Sequence, residues 1–179
     1  MDQVRVHDRI FTKFISEEDL ARRIKVMADN LNSSLAGKDI LFLGILNGSF
    51  MFIADLYRQV RLESTISFLK LSSYLGTQST GHIKELIGLN EKITGKTVVV
   101  VEDIIDTGRT LNDIVADLEE KGAESIVVVT LLYKPQAYEG NHGIDFIGFE
   151  IPNDFVIGYG LDYDGFGRNL PAIYKLSEE

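Results

Sequence analysis

The chain contains no cysteine, which removes disulfides, thiol nucleophiles and cysteine-ligated zinc from consideration. Its three histidines, His7, His82 and His142, stand far apart with no H-x-x-x-H spacing and offer no histidine metal cluster. Proline is scarce, at three in 179 residues, and marks no linker. With no repeat or low-complexity tract either, the reading is a single domain over residues 1–179. No apolar run approaches the length of a membrane span, and the opening MDQVRVH lacks the apolar stretch of a signal peptide, so a cytoplasmic location is expected. Basic charge is also in short supply. Against 27 Asp and Glu there are 18 Lys and Arg, and the net charge of −9 would repel nucleic acid or an anionic membrane at long range. Neither partner is expected; small-molecule substrates are.

What is present alternates between strand and helix patterns. Ser16 followed by Asp19 resembles a capping box, and Leu20, Ile24, Met27, Leu31 and Leu35 recur every three or four residues up to Gly37, which predicts an amphipathic helix. Residues 40–45 read as a buried strand, Asn47-Gly48-Ser49 as a turn, and Phe52, Ile53 and Leu56 as the inner face of a second helix. Further strands are predicted at 65–71, 98–101, 125–133, 146–150, 155–159 and 172–176. A helix over about 110–121 turns Ile114, Val115 and Leu118 inward and stops at Gly122. Residues 72–86 read as one long polar loop. This order predicts an α/β fold, a mostly parallel twisted sheet flanked by helices. Gly95-Lys96-Thr97 imitates the end of a P-loop but precedes a strand instead of following one, and is read as a turn.

The most informative stretch is residues 98–111, VVVVEDIIDTGRTL. Four valines read as a strand buried on both faces, and Glu102 and Asp103 follow at its C-terminal end, where open α/β sheets bind ligands. Asp106, Thr107, Gly108, Arg109 and Thr110 then place a glycine, two hydroxyls and backbone N–H groups at a helix start, which suits a phosphate dianion. Carboxylates for ribose hydroxyls beside a phosphate cradle point to a phosphorylated sugar. For the acid pair alone, a receiver-domain metal site and a solvated strand end remain alternatives, although receiver domains carry their acids near the start of the chain.

The run resembles the phosphoribosyl-pyrophosphate (PRPP) signature of type I phosphoribosyltransferases. Four more segments follow the pattern and order of the hypoxanthine-guanine phosphoribosyltransferases. They are Leu46-Asn47-Gly48-Ser49, Ser72-Ser73-Tyr74, Leu132-Tyr133-Lys134, and Asp154-Phe155-Val156 through Asp162 to Arg168. The similarity spans about residues 10–176. It implies the type I fold with a mobile loop and a small hood, the hood built mainly from residues 150–179 with the N-terminal strand. It also implies transfer of phosphoribose from PRPP to N9 of a 6-oxopurine in purine salvage, with Mg²⁺ as cofactor and a homodimer or homotetramer as the assembly.

The resemblance assigns roles residue by residue. Glu102 and Asp103 hold the ribose hydroxyls directly or through Mg²⁺, residues 106–110 hold the 5′-phosphate, and Asp106 exchanges a proton at purine N7. Leu46, Asn47, Gly48 and Arg168 form the pyrophosphate side, with Ser49 as a further hydroxyl donor. Asn47 stands where the family commonly carries Lys or Arg, so that charge is missing, and the Leu46-Asn47 peptide matches one often found cis. Lys134 donates to the 6-oxo group, Phe155 stacks on the purine, and the backbone around Val156 bonds its edge. Asp162 belongs to the purine-binding residues and, beside the metal ligands Glu102 and Asp103, is the carboxylate on a second Mg²⁺, and Ser73 and Tyr74 belong to a loop that closes over the site. Read without the resemblance, Asp106 is a helix cap, Phe155 is core and Lys134 is a solvated lysine. Gly165-Phe166-Gly167 departs from the family's bulkier residues before Arg168. These residues do not rank hypoxanthine, guanine and xanthine. A rival reading, an RNA-binding regulator on the same fold, is opposed by the negative charge.

Overall fold

The computed structural model describes residues 2–72 and 84–177. A hairpin of β1 (Gln3–Val6) and β2 (Arg9–Ile15) leads into α1 (Glu17–Ser34), β3 (Ile40–Leu46), α2 (Phe50–Tyr57) and β4 (Ser64–Ser72). There follow β5 (Lys84–Ile87), β6 (Thr97–Ile105), α3 (Arg109–Glu120), β7 (Ser125–Tyr133), β8 (Phe146–Glu150), β9 (Val156–Ile157) and β10 (Ile173–Leu176). Ser16 caps α1 by accepting from the Asp19 N–H at 3.1 Å. The reciprocal half of the capping box is replaced by a side-chain bond, in which the Asp19 carboxylate accepts the Ser16 hydroxyl at 2.7 Å.

The larger sheet has the order β5-β4-β3-β6-β7-β8, parallel except for β5 at one edge. Strand period sends alternate valines of β6 to opposite layers. Val99 and Val101 join the cluster made with α1 and α2, while Val98 and Val100 join the one made with α3. A strand covered on both faces has no polar face, which is why this run is continuously apolar. From the adjacent strands β3 and β6 the chain departs in opposite directions, to β4 and to β7. The diverging connections open a crevice at the carboxyl ends of β3 and β6, the topological switch point at which such sheets take ligands.

A smaller antiparallel sheet, β1-β2-β10-β9, joins the two ends of the chain around Phe11, Ile157, Ala172 and Tyr174. Its N-terminal hairpin is two strands, where the resemblance implied one N-terminal strand. The strand expected over 155–159 shrinks to Val156–Ile157, because Gly158 at φ 95° and Tyr159 at φ 48° leave the extended region. The strand expected over 98–101 runs on to Ile105, so the acid pair lies within it. Of the expected loop over 72–86, residue 72 ends β4 and residues 84–86 belong to β5, which pairs with β4. Ser73 and Tyr74 lie outside the described residues. Among the described residues, no helix is long and apolar enough to cross a membrane.

The free edge of β8 is covered by Arg23 of α1, which donates to the carbonyls of Ile147 at 2.6 Å and Gly148 at 2.7 Å. Gly148 is there for space: a Cβ would fall on the Leu131 carbonyl of β7. Gly148→Ala is expected to reduce the unfolding free energy by about 1–3 kcal/mol, the scale of overpacking, in urea denaturation. An unchanged midpoint would show that β8 can move away at no cost.

Candidate active site

The parallel strands deliver three segments to one rim of the larger sheet: residues 46–49 after β3, residues 102–110 at the end of β6, and Lys134 after β7. The β6–α3 connection encloses a cavity of about 120 Å³ lined by Glu102 and residues 104–111. Gly108 is the N-cap of α3 at φ 80°, ψ 3°, a left-handed conformation open to glycine at little cost. No side chain caps this helix, so the amides of its first turn are left for an anion. Thr110 is exposed and Thr107 half-buried at the rim. The Arg109 guanidinium turns toward solvent and Glu139, 3.5 Å away, so Arg109 contributes to this loop through its backbone.

Lys134 is buried, in contrast to the solvated lysine that its sequence setting suggests. Its Nζ stands 3.4 Å from the Asp106 carboxylate, and its N–H donates to the Ile105 carbonyl at 3.0 Å. Asp106 is half-exposed and does not cap α3, a position held by Gly108. Phe155 is 47% exposed instead of lying in the core, and its ring meets Tyr163 edge-on at 5.9 Å. Next to it, Val156 is buried where β9 pairs with Lys175 of β10.

The Leu46-Asn47 peptide is cis. Asn47 is exposed, whereas Gly48 is buried against Asp103, whose Oδ2 occupies the place that a Cβ on Gly48 would need. On its other side the Gly48 carbonyl fills the Cβ position of Gly160. Ser49 is not available as a donor to a ligand: its buried hydroxyl donates to the Ile45 carbonyl at 2.6 Å. In the β9–β10 connection, Arg168 bonds Asp162 at 2.6 Å and donates to the Gly160 carbonyl at 2.7 Å, while Asp162 accepts the Gly165 N–H at 2.7 Å. Gly165 and Gly167 do not leave Arg168 loose, because both of these partners fix it. Gly160 and Tyr159 carry no role in the sequence reading, and the only hint was a G-x-G spacing after a short strand. Tyr159 donates its hydroxyl to Asp55 of α2, and burial raises the phenol above its ordinary pKa.

Two carboxylates at the rim are held unfavourably. Burial, and then the charge of Asp103, push Glu102 well above the ordinary range. Burial pushes Asp103 up to about 6, with Arg168 opposing the rise and Asp162 adding to it. A buried acid pair of this kind fits a hard divalent cation, which takes one or two protein carboxylates and fills its sphere with water and phosphate oxygens. Among the described residues no three His, Asp or Glu side chains converge into a metal cage, so Glu102, Asp103 and Asp162 do not form a ready three-carboxylate site.

The model of the phosphoribosyl transferase domain matches residues 15–164. The chain is 41% identical over 165 residues to the hypoxanthine phosphoribosyltransferase of Escherichia coli K12, covering 90% of this chain and 93% of that one. It is 40% identical to the hypoxanthine-guanine phosphoribosyltransferase of Lactococcus lactis, with coverage of 92% and 90%. Among solved structures, a hypoxanthine phosphoribosyltransferase from Staphylococcus aureus superposes with a TM-score of 0.87 at 38% identity, over 92% of this chain and 90% of that one. A switch-point crevice with an uncapped phosphate-ready helix, matched at this identity over nearly the full length, places the chain in the phosphoribosyltransferase family.

Proposed function

We propose that the protein transfers the 5-phosphoribosyl group from PRPP to N9 of hypoxanthine or guanine, giving IMP or GMP and pyrophosphate in purine salvage. One observation carries the reading. The carboxylates of buried Glu102 and half-buried Asp103 lie with an uncapped helix N-terminus on one strand–loop–helix unit, the complement of a ribose 5-phosphate. In this reading Glu102 and Asp103 accept from the ribose hydroxyls, and the first-turn amides with Thr107 and Thr110 hold the 5′-phosphate. As pyrophosphate leaves C1, charge develops on the sugar ring and the purine nitrogen attacks the opposite face. Arg168 and the peptide groups of residues 46–48 face the leaving pyrophosphate.

Asp106 takes the proton at purine N7, and Lys134 exchanges its contact with Asp106 for the 6-oxo group. Phe155 supplies the stacking face and the Val156 backbone the edge contacts. Magnesium, when bound, screens the charge of the pyrophosphate, and Glu102, Asp103 and Asp162 are the carboxylates assigned to it. The smaller sheet serves as the hood, Ser73 and Tyr74 belong to the segment that excludes water, and the protein works as a cytoplasmic homo-oligomer. A spectrophotometric assay with PRPP, Mg²⁺ and a panel of purine and pyrimidine bases tests the reading; turnover with no base, or only with pyrimidines, would remove it.

Metal ligands must shed their protons, so the pKa directions fix a pH signature. Both acids titrate higher in the folded protein than in the unfolded chain. The unfolded chain therefore ionises first, and the metal-free protein loses stability as pH rises from about 4 through 6 and beyond. The thermal upshift produced by Mg²⁺ with PRPP is expected to be small at pH 5 and large at pH 8, and excess EDTA to stop turnover. A pH-independent upshift would contradict the carboxylate assignment.

Asp106→Asn keeps shape and loses proton affinity; turnover is expected to fall about 10²- to 10⁴-fold with PRPP binding retained. Near-normal turnover would reduce Asp106 to a loop constituent. Lysine donates and never accepts, so a 6-oxo group satisfies Lys134, whereas the 6-amino group of adenine meets it donor to donor. Adenine is expected to be rejected by about 10⁴-fold or more, and Lys134→Ala to lose most activity on 6-oxopurines while narrowing that gap. Equal use of adenine by the unmodified protein would show that Lys134 does not read the 6-position.

A further inference from the structure

We infer that Tyr138 is a positioning residue for the 5′-phosphate cradle, holding the left-handed turn at Gly108 by direct packing of its ring; this rests on the reading of residues 106–110 as that cradle. Tyr138 lies in the β7–β8 connection, four residues beyond Lys134. Its ring lies so close to Gly108 that an added Cβ there would fall on Cε2 and stand 2.8 Å from Cδ2. On its own side of the cradle, Gly140 leaves similar room, with an added Cβ 2.6 Å from Cζ. Tyr133 meets the ring edge-on at 5.5 Å, and the Tyr138 hydroxyl donates to the His142 carbonyl. The ring is therefore fixed by contacts that involve no ligand.

The backbone around it follows the cradle step by step. Lys134 N–H donates to the Ile105 carbonyl at 3.0 Å and Glu139 N–H to the Thr107 carbonyl at 3.0 Å. The Asn141 N–H then donates to the Asn112 side chain at 3.3 Å. With the Asn112 N–H donating to the Gly108 carbonyl at 3.0 Å, the peptide units on either side of Gly108 are tied, and the Tyr138 ring packs against the α-carbon between them. A glycine at φ 80° has other conformations open to it at little steric cost, and the ring packed on the side that a Cβ would take adds a close contact that those conformations would disturb. Losing the ring unfastens amides that have to point together at a phosphate before it arrives, so the cost falls on binding and spares the chemistry once substrate is seated.

The test uses the full-length protein, ribose 5-phosphate as a calorimetric probe, and steady-state kinetics with varied PRPP. Tyr138→Ala is expected to raise the Kd for ribose 5-phosphate and the KM for PRPP by about tenfold or more, with kcat at saturating PRPP within about threefold. Tyr138→Phe, which keeps the ring and loses the bond to His142, is expected to behave as the unmodified protein. Tyr138→Leu keeps apolar volume for folding but offers Gly108 no flat face, and is expected to share the loss. Unaltered Kd and KM in both Tyr138→Ala and Tyr138→Leu would overturn the inference, as would a loss in Tyr138→Phe equal to that in Tyr138→Ala, or a fall in kcat alone. Failure of the unmodified protein to bind ribose 5-phosphate would overturn the cradle reading, and the inference with it.

Discussion

The site depends on one close approach, the wedging of the Gly48 backbone between Asp103 and Gly160. Asp103 comes from β6, Gly48 from the turn after β3, and Gly160 from the connection that closes the smaller sheet. Two missing side chains let three distant segments meet: the Asp103 carboxylate fills the Cβ position of Gly48, and the Gly48 carbonyl fills that of Gly160. Interiors this close-packed transmit displacement instead of absorbing it. A methyl group at either glycine would separate the strand assigned to the ribose from the loop assigned to the pyrophosphate. Arg168 is tied into the same stack through its bond to the Gly160 carbonyl at 2.7 Å.

Charge is arranged around that stack in a way that only a ligand completes. Burial raises both acids of β6, and the Arg168 charge opposes the rise at Asp103. Removing carboxylates from water costs free energy unless opposite charge compensates, so these two acids are held at a cost within a well-packed fold. Lys134 and Asp106 take the opposite course and face each other at 3.4 Å. The two groups assigned to a purine thus shield one another without it, and the same lysine carries too little exposed surface to be an incidental solvated charge. A net charge of −9 does not exclude an anionic substrate, because the field at the rim is set locally, by groups such as the α3 N-terminus and Arg168, and not by the total.

Legibility in the sequence followed the range of the interactions. The valine run, the helix periodicities and the 125–133 strand are local patterns, each decided by burial against both layers or one, and each stands in the structure within a few residues of where the pattern puts it. The β1–β2 hairpin had no pattern of its own in the sequence, because its strands are short and β2 pairs on its other side with β10, more than 150 residues away. The β4–β5 pairing was hidden inside a polar stretch whose residues carry no apolar run of their own. Among site residues, the acid pair and phosphate loop were legible because the chemistry sits on consecutive positions. Gly160 and Tyr138 were not, since their significance is a space left or filled next to another segment, and the G-x-G spacing at Gly160 does not say which segment that is.

The same contrast separates what each sheet contributes. Parallel strands with short rim loops fix the carboxylates and the first-turn amides rigidly, which suits the invariant sugar phosphate. The smaller sheet places Phe155 and Arg168 on short strands and tight turns, and its loop reaches the larger sheet at the Gly48–Gly160 contact and through the field of Arg168 and Asp162 at Asp103. Both approaches converge on the acid pair of β6.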